Sequence, residues 1–246
     1  MTSIIGKNYL VTGATSGIGK AVTLLLLQQG AKVLMVGRNK SVLSDLYHRY
    51  PETSLYLEYD LSDPRNIDLI FQKASSAGYV FDGMVYCAGI CPLIKCSDIQ
   101  YDSSLNIFNV NYFSFTLLTK SFLNPQYAKE GASIVAISSN AAIIGGNRQA
   151  DYSASKSALN IFVKSVTKEL SYRKIRINSV LPSATETELI QKLRNVSTTL
   201  DTNITYKQPF GIIDPNDVGN VVLFLLSDYS KAISGTLVSV NNGDVY

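Results

Sequence analysis

Residues 12–19 read Thr-Gly-Ala-Thr-Ser-Gly-Ile-Gly, a glycine-rich stretch between a short apolar segment at residues 6–12 and a longer one at residues 18–30. This order predicts a strand, a tight turn and a helix that stops at Gly30. Glycine tolerates positive φ and lets the backbone approach a pyrophosphate, which is stabilised at the positive end of a helix. The turn is therefore a candidate dinucleotide-binding loop. Its candidate contacts are Gly13, Thr15, Ser16, Gly17, Ile18 and Gly19.

A second strand is predicted at residues 32–37, and it ends in Gly37-Arg38-Asn39. A protein that binds NAD(H) usually presents a carboxylate to the adenosine ribose at this point, and this chain offers none there. Arg38 can pair bidentately with a ribose 2'-phosphate, for which Gly37 leaves room. Arg38 and Asn39 are therefore candidate cofactor contacts, and the chain is predicted to prefer NADP(H) over NAD(H). The alternative is that Arg38 only ends a solvated strand.

Another group of residues indicates proton transfer. Tyr152 and Lys156 are four positions apart in a segment with helical periodicity, so both side chains project from one face of one helix. The pKa of a free phenol is about 10, and an adjacent ammonium lowers it. We therefore expect Tyr152 to be the acid and base, and Lys156 to tune its pKa.

Two further polar residues lie where they can join this pair. Ser139 ends an apolar run at residues 133–139 that is typical of a buried strand, and ligands bind at the carboxyl edge of such a sheet. Asn111 lies within a long amphipathic stretch, residues 101–123, where its amide could hold a relay water. Together the four residues predict hydride chemistry on a small-molecule carbonyl or alcohol substrate.

In the order and spacing of these motifs, the chain resembles the classical short-chain dehydrogenase/reductases from about Ile4 to its C-terminus. The family patterns Thr-Gly-x-x-x-Gly-x-Gly and Tyr-x-x-x-Lys match residues 12–19 and 152–156. The resemblance implies that Asn111, Ser139, Tyr152 and Lys156 form a catalytic tetrad, with Lys156 also holding the nicotinamide ribose. It implies an α/β fold, a single-domain Rossmann-type doubly wound parallel sheet of about seven strands flanked by helices. The pattern is most similar to 3-oxoacyl-[acyl-carrier-protein] reductases, and a sugar or polyol reductase fits equally well.

The resemblance also implies cofactor contacts elsewhere in the chain. Asp60 and Leu61 would contact adenine, although Asp60 also suits a turn or a helix cap. Backbone contacts to the ribose would come from Cys87, Ala88 and Gly89. The nicotinamide would lie near Pro182 and Thr185, and the phosphates near Thr187. Three residues depart from the family pattern, since Tyr86 and Cys87 replace asparagines and Ser183 replaces a glycine. We expect the first change to remove a brace of the sheet, and the last to strain a turn that needs positive φ.

The chain has 246 residues, which suits one NADP(H)-binding domain spanning residues 1–246. Polar and threonine-rich residues between 183 and 211 predict a mobile substrate lid, whose alternative is an ordinary surface loop. Residues 143–146 are expected to line the wall of the substrate pocket. The formal charge of +3 comes from scattered lysines and arginines, so a nucleic-acid partner is not expected.

No segment is predicted to be a signal peptide or a membrane span, so we expect a cytoplasmic protein without membrane contact. Cys87, Cys91 and Cys96 have no histidine nearby in the sequence and are predicted to be reduced thiols. A three-cysteine metal site is the alternative, and no metal is expected. By resemblance, the chain should form a homotetramer or a homodimer.

A function of a different class is a non-catalytic NADP(H)-sensing regulatory protein on the same fold. Its support is the set of departures at Tyr86, Cys87 and Ser183. The complete tetrad argues against it, because a binding module has no need of a tuned phenol beside a lysine.

Overall fold

The computed structural model describes residues 4–194 and 207–244, and these residues form a seven-stranded sheet. The strands are Asn8–Thr12 (β1), Lys32–Gly37 (β2), Ser54–Glu58 (β3), Phe81–Tyr86 (β4), Ala128–Ile137 (β5), Arg176–Pro182 (β6) and Leu237–Val240 (β7). Their order across the sheet is β3-β2-β1-β4-β5-β6-β7, and every adjacent pair is parallel. The predicted parallel α/β sheet is therefore confirmed.

Helices cover both faces of this sheet. They are Gly17–Gln28 (α1), Lys40–Arg49 (α2), Asp68–Ser76 (α3), Tyr101–Phe108 (α4), Ser114–Phe122 (α5), Ala141–Ile144 (α6), Ala150–Leu170 (α7), Glu188–Arg194 (α8) and Pro215–Leu226 (α9). Side chains alternate along each strand, so Tyr9 and Val11 pack on one face while Leu10 packs on the other. The core is thus divided into two hydrophobic layers, one on each side of the sheet.

Each layer is built from residues of particular helices. Val22 of α1 and Val222 of α9 belong to the layer that contains Tyr9 and Val11. Phe71 of α3, Phe115 of α5 and Leu159 of α7 belong to the opposite layer. Because both faces are covered, strands such as β2 carry an uninterrupted run of buried apolar residues, as expected for a parallel sheet.

The strand order reverses between β1 and β4, since the chain proceeds outward through β2 and β3 on one side and through β5 to β7 on the other. Loops from the two halves diverge at the carboxyl ends of these strands and leave a crevice, which is where open α/β sheets bind ligands. The fold thus brings the glycine-rich turn after β1 next to the loops after β4, β5 and β6.

β4 ends at Tyr86, and residues 87–90 form a loop. The helix predicted over residues 101–123 is broken into α4 and α5 by a π-helical turn, Asn109–Phe113. No helix in residues 4–194 and 207–244 combines the length and the apolar character that a membrane span requires.

Candidate active site

A cleft of about 740 Å³ runs along the carboxyl ends of the strands at the reversal point. Its size is typical of small-molecule and cofactor sites. Predicted site residues that line it are Gly13, Thr15, Ser16, Gly17, Ile18, Gly19, Arg38, Asp60, Leu61, Cys87, Ala88, Gly89, Ser139, Tyr152, Lys156, Pro182, Thr185 and Thr187. Asn39 and Asn111 are not among the lining residues.

The glycine-rich turn is compact because its glycines touch backbone. Gly13 has a φ of 65°, and a Cβ there would lie 2.9 Å from the nitrogen of Ala88. A Cβ at Gly19 would overlap the carbonyl oxygen of Gly13. The turn therefore packs directly on the loop after β4, with α1 starting immediately behind it. This is the arrangement that exposes the amide groups of a helix N-terminus to a ligand.

One of these amides already binds an anion, and the anion belongs to the chain itself. The nitrogen of Gly17 donates a hydrogen bond to Oε2 of Glu188, at 3.0 Å. The neighbouring Thr187 lies so close that a Cβ at Gly17 would be 3.0 Å from its methyl group. The carboxylate shows that the start of α1 accepts negative charge, as a dinucleotide phosphate requires. Sequence reasoning missed Glu188, because the contact joins residues 171 positions apart.

We expect Glu188→Gln to bind NADPH more tightly than the wild type, by roughly two- to fivefold, since the carboxylate competes with phosphate for the helix N-terminus and repels it. Fluorescence titration of the reduced nicotinamide measures the dissociation constants. Glu186→Gln is the matched control, because Glu186 pairs with Arg194 at 2.7 Å. Equal effects of the two substitutions, or no effect of either, would contradict competition at the Gly17 amide.

Arg38 is exposed at the end of β2 and lines the cleft. Within the described residues, its guanidinium has no hydrogen bond or ion pair, so all of its donors remain for a ligand. Gly37 has a different role from the predicted one, because a Cβ there would lie 2.8 Å from the methyl group of Thr15. Thr15 therefore fills the space that was expected to receive a phosphate.

Asn39 is not brought into the cleft. Its Oδ1 accepts a hydrogen bond from the nitrogen of Val42 at 3.2 Å, which caps the first turn of α2. The prediction of a cofactor contact is replaced here by a structural role that asparagine commonly has. Asp60, in contrast, lines the cleft while its Oδ1 accepts from the nitrogen of Ser62 at 2.9 Å. Its turn role and its predicted adenine contact are thus compatible.

The first two residues of the loop after β4 are held against β1 and the glycine-rich turn. The nitrogen of Ala88 donates to Oγ1 of Thr12 at 3.3 Å, which ties the loop to β1. A Cβ added to Gly19 would lie 3.1 Å from the Cβ of Cys87, so Cys87 packs behind the glycine-rich turn. Burial raises the pKa of Cys87 to about 12, so this thiol is protonated at neutral pH.

Tyr86 corrects the expectation of a missing brace. Its buried hydroxyl donates a hydrogen bond to the carbonyl oxygen of Val110, in the π-helical turn. The ring also packs on Phe115, with centroids 5.2 Å apart. Tyr86 therefore connects the sheet to the turn that carries Asn111, which is the kind of connection that the absent asparagine was expected to provide.

Tyr86→Phe should lower the free energy of unfolding by about 1–3 kcal/mol, because the carbonyl of Val110 loses a buried donor while the packing is retained. Urea denaturation followed by circular dichroism measures the change. Tyr9→Phe is the matched control, since the Tyr9 hydroxyl is also buried and has no hydrogen-bond partner among the described residues. Tyr9→Phe should be neutral or stabilising, and an equal loss in both variants would argue against the brace.

The side chain of Asn111 is engaged within the protein, and its predicted role in a water relay stays a prediction. Its Oδ1 accepts from the nitrogen of Ile90 at 2.9 Å, and its Nδ2 donates to the carbonyl oxygen of Ile90 and to Oγ of Ser155, both at 3.0 Å. These bonds engage the buried amide on both its donor and acceptor sides. Asn111 therefore fixes the loop after β4 against α7, and the π-helical turn presents the amide to that loop.

Tyr152 and Lys156 project from the first two turns of α7 into the cleft. The amine of Lys156 is buried, and its Nζ donates to the carbonyl oxygen of Ile137 at 2.7 Å. Burial lowers the pKa of Lys156 to about 8. Burial raises the pKa of Tyr152 above its ordinary value, with Cys91 adding to the rise and the Ser139 side chain opposing it. The expected lowering of the phenol pKa by Lys156 is thus absent from the described arrangement.

Ser139 lies two residues after the end of β5 and lines the same cleft. Its Oγ accepts a hydrogen bond from the nitrogen of Ala141 at 3.1 Å, which fixes the hydroxyl at the start of α6. Ile144, at the end of α6, lines the cleft together with Gly145 and Gly146, as was expected for a pocket wall. Ile143, expected with them, is exposed and is not a lining residue.

Ser183 occupies its position without the expected strain, because its φ is not positive. Its Oγ donates to Oδ2 of Asp244 at 2.8 Å, and its carbonyl oxygen accepts from Oγ1 of Thr185 at 3.0 Å. The serine thus connects the segment after β6 to the end of the described chain. Asp244 also lines the cleft, and sequence reasoning missed it.

Two further features concern the predicted lid. Its central residues, 195–206, lie outside the described part of the chain. Buried Gln208 accepts from the nitrogen of Ala184 at 3.0 Å and donates to the oxygen of Ala184 at 3.1 Å. This paired contact joins the first and last parts of the predicted lid, residues 183–211, on either side of its undescribed centre.

The part of the cleft that contains Tyr152 is also lined by residues that the sequence analysis did not assign to the site. Cys91 lies beside Tyr152, and its Sγ accepts from Nε2 of Gln149 at 3.3 Å. Arg148, which has a φ of 60°, lines the same region. Burial raises the pKa of Cys91 to about 11. Within the described residues, the three cysteines are free thiols and no group of metal-ligating side chains is found.

Comparison with known proteins agrees with this geometry. A family model described as Enoyl-(Acyl carrier protein) reductase matches residues 13–244. The chain is 31% identical over 244 residues to the 3-oxoacyl-[acyl-carrier-protein] reductase FabG of Thermotoga maritima, with 97% of each chain covered. It is 30% identical to a solved short chain dehydrogenase family protein of Francisella tularensis, with a TM-score of 0.86 over 97% of this chain and 98% of that one. A solved short-chain dehydrogenase/reductase of Brucella melitensis, 24% identical with a TM-score of 0.92 and full coverage of both chains, shares the fold.

Proposed function

The chain belongs to the short-chain dehydrogenase/reductase family, and we propose that it is an NADP(H)-dependent reductase that acts through Ser139, Tyr152 and Lys156. Family membership makes it an oxidoreductase that interconverts CH–OH and C=O groups with a nicotinamide cofactor. The proposal adds the preferred cofactor and the residues that transfer the proton. We further propose that the protein assembles as a homotetramer or a homodimer.

One observation supports this proposal above the others. The glycine-rich turn, with amides able to bind an anion, and the Ser139, Tyr152 and Lys156 side chains line one continuous cleft. A cofactor whose phosphates lie against the start of α1 can therefore extend toward the phenol without leaving the cleft. Gly89 supports such a path, because a Cβ there would lie 3.3 Å from Nζ of Lys156. The missing side chain leaves backbone surface next to the amine.

In the proposed reduction, Ser139 and Tyr152 donate hydrogen bonds to the carbonyl oxygen of the substrate and thereby make its carbon more electrophilic. The bound cofactor supplies the hydride for that carbon. Tyr152 then gives its proton to the oxygen as the alcohol forms. The raised pKa of Tyr152 suits this role, because the phenol is protonated at neutral pH and is available as an acid.

Lys156 has two proposed tasks. With a pKa of about 8, the amine is mostly protonated at neutral pH and can stabilise the phenolate that remains after proton transfer. It can also hold the nicotinamide ribose, because its donors exceed the single bond that it makes to Ile137. Asn111 supports both tasks indirectly, because its side chain fixes the loop at Ile90. Asn111 completes the proposed tetrad, and the proposed proton relay runs through it.

The cofactor preference rests on the end of β2. Arg38 is exposed, lines the cleft and has its donors free within the described residues. A guanidinium matches the geometry of a phosphate and would repel no part of NADP(H), whereas a carboxylate at this point would. We therefore propose that the ribose 2'-phosphate lies against Arg38.

The test is oxidation of NADPH by the purified protein in the presence of candidate carbonyl substrates, followed by the loss of nicotinamide absorbance. An acetoacetyl thioester and a ketose represent the two substrate classes that the sequence left open. Turnover with either supports the reductase, and turnover with NADPH exceeding that with NADH supports the cofactor assignment. Tight binding of NADPH without turnover of any carbonyl would instead support the non-catalytic sensor.

A further inference from the structure

We infer that Asp244, Asn140 and Ser183 form a subsite for a hydrogen-bond donor of the substrate, so that the enzyme prefers carbonyl compounds that carry a hydroxyl group. This inference rests on the proposed function and narrows its substrate class. Both Asp244 and Asn140 line the cleft that contains Tyr152. The subsite lies at the carboxyl ends of β5 and β6, beside the proposed nicotinamide side of the cleft.

The carboxylate of Asp244 is held by one oxygen. Its Oδ2 accepts from Nδ2 of Asn140 at 2.8 Å and from Oγ of Ser183 at 2.8 Å. The backbone of Asp244 is fixed as well, because its nitrogen donates to the carbonyl oxygen of Asn241 at 2.9 Å and its oxygen accepts from Nδ2 of Asn241 at 3.1 Å. Two side-chain donors and a closed turn therefore orient the group.

The other oxygen of the carboxylate is available. Within the described residues, Oδ1 of Asp244 accepts no hydrogen bond, and the group has no ion pair with a lysine or arginine. A carboxylate can accept several hydrogen bonds, so a donor on a ligand in the cleft would meet a strong acceptor that is already oriented. A purely structural connection between Ser183 and the chain end has no need for this second oxygen.

Asn140 orients the carboxylate and offers a ligand no acceptor of its own. The residue is 4% exposed, and its Oδ1, which has no hydrogen-bond partner within the described part of the chain, is itself enclosed and out of reach of a ligand in the cleft. The acceptor that a ligand can meet here is Oδ1 of Asp244. The matching ligand group is therefore a donor, such as a hydroxyl or an ammonium, and not a carboxylate or a phosphate.

The subsite also lies next to the proposed chemistry. Asn140 follows Ser139 directly, and its nitrogen donates to the carbonyl oxygen of Pro182 at 2.9 Å. Ser183 follows Pro182, whose neighbourhood is the proposed nicotinamide side of the cleft. A substrate whose carbonyl oxygen lies at Ser139 can thus place a second polar group toward Asp244. A site that hydrogen-bonds a substrate hydroxyl discriminates strongly against the analogue that lacks it.

The test compares substrates that differ only by a hydroxyl and a methyl group. Hydroxyacetone is paired with butan-2-one, 4-hydroxybutan-2-one with pentan-2-one, and aminoacetone is added to separate a preference for ammonium from one for hydroxyl. The measured quantity is the ratio of kcat/KM for the hydroxylated ketone to that for its partner. Wild type should favour the hydroxylated member of at least one pair by roughly 10- to 100-fold.

Asp244→Asn is the decisive variant, because the amide oxygen can still accept from Asn140 and Ser183 while an NH2 donor replaces Oδ1. The ratio should fall by roughly 10- to 100-fold. Asp102→Asn, an exposed site on α4 with the same loss of charge, should leave the ratio unchanged. A wild-type ratio near one for both pairs, or a ratio that survives Asp244→Asn, overturns the inference.

A binding measurement separates this inference from the proposed function. Saturation-transfer NMR can compare binding of propane-1,2-diol and butan-2-ol to the full chain, without requiring turnover. Selective diol binding that is lost in Asp244→Asn supports the subsite even if no ketone is reduced, which would contradict only the proposed reductase. Equal binding of the two alcohols by the wild type would overturn the subsite even if ketones are reduced.

Discussion

Tyr152→Phe should lower kcat/KM for carbonyl reduction by roughly 10²- to 10⁴-fold or more, while the affinity for NADPH stays nearly unchanged. The substitution removes only the hydroxyl that is proposed to donate the proton, and the ring remains packed in α7. Steady-state kinetics gives the first quantity, and fluorescence titration of the bound nicotinamide gives the second.

The expected separation of turnover from binding follows from the position of Tyr152. The phenol lies in the cleft near Ser139, whereas the amides that are proposed to bind the phosphates lie at the start of α1. Loss of one hydroxyl at the reacting end therefore leaves the other end of the cofactor site intact. Without the Tyr152 hydroxyl, the group that is proposed to give its proton to the nascent alkoxide is absent.

Tyr9→Phe is the control for this experiment as well, because it removes a buried hydroxyl far from the cleft lining. It should retain wild-type turnover. Substantial turnover by Tyr152→Phe would remove Tyr152 from the role of acid. Loss of NADPH affinity in parallel with turnover would show that the substitution had disturbed the cofactor site instead.

The fold was predictable because its signals are local. The strand before residue 12, the glycine-rich turn and the helix behind it are each specified by neighbours in the chain, and the structure reproduces their order. The same is true of Tyr152 and Lys156, whose common helix face follows from their spacing alone. Ser139 required one more step, since its place at the carboxyl edge depended on recognising a buried strand.

The errors came from contacts that sequence spacing does not encode. Asn111 was placed in one long amphipathic stretch. In the structure it lies in a π-helical turn between α4 and α5. Its side chain bonds to Ile90 in the loop after β4, a contact that the spacing along the chain does not predict. Tyr86 was treated as the loss of a brace, although its hydroxyl reaches Val110, 24 residues away. A side chain of a different size can make an equivalent connection, and only the packed structure reveals it.

Glu188 and Asp244 illustrate the same limit at the functional site. Glu188 reaches Gly17 across 171 positions, and Asp244 reaches Asn140 across 104. Neither lies in a motif that was used to identify the site. Both place a carboxylate in the cleft outside the proposed tetrad, so both are positioned to affect which ligands bind. Differences of substrate and affinity between members of one fold are expected to reside at such positions.

Arg38→Ala should weaken NADPH binding by roughly 10- to 100-fold and leave NADH binding nearly unchanged, because a charge-assisted hydrogen-bond pair contributes about 1.5–3 kcal/mol. The preference for NADPH over NADH should therefore collapse. Fluorescence titrations of both cofactors, carried out at the same ionic strength, give the ratio of dissociation constants for each variant. NADH serves as the internal control for folding, since it lacks only the 2'-phosphate.

Two further variants distinguish a specific phosphate contact from a general effect of charge. Arg65→Ala removes an exposed arginine that pairs with Asp63 at 2.7 Å, outside the residues that line the cleft, and it should leave the ratio unchanged. Arg38→Lys keeps the charge but loses the bidentate geometry, so it should retain part of the preference. If the wild type binds both cofactors equally, Arg38 has no role in selection. If Arg65→Ala reduces the ratio as much as Arg38→Ala, the preference arises from the positive charge of the surface as a whole and not from a contact at Arg38.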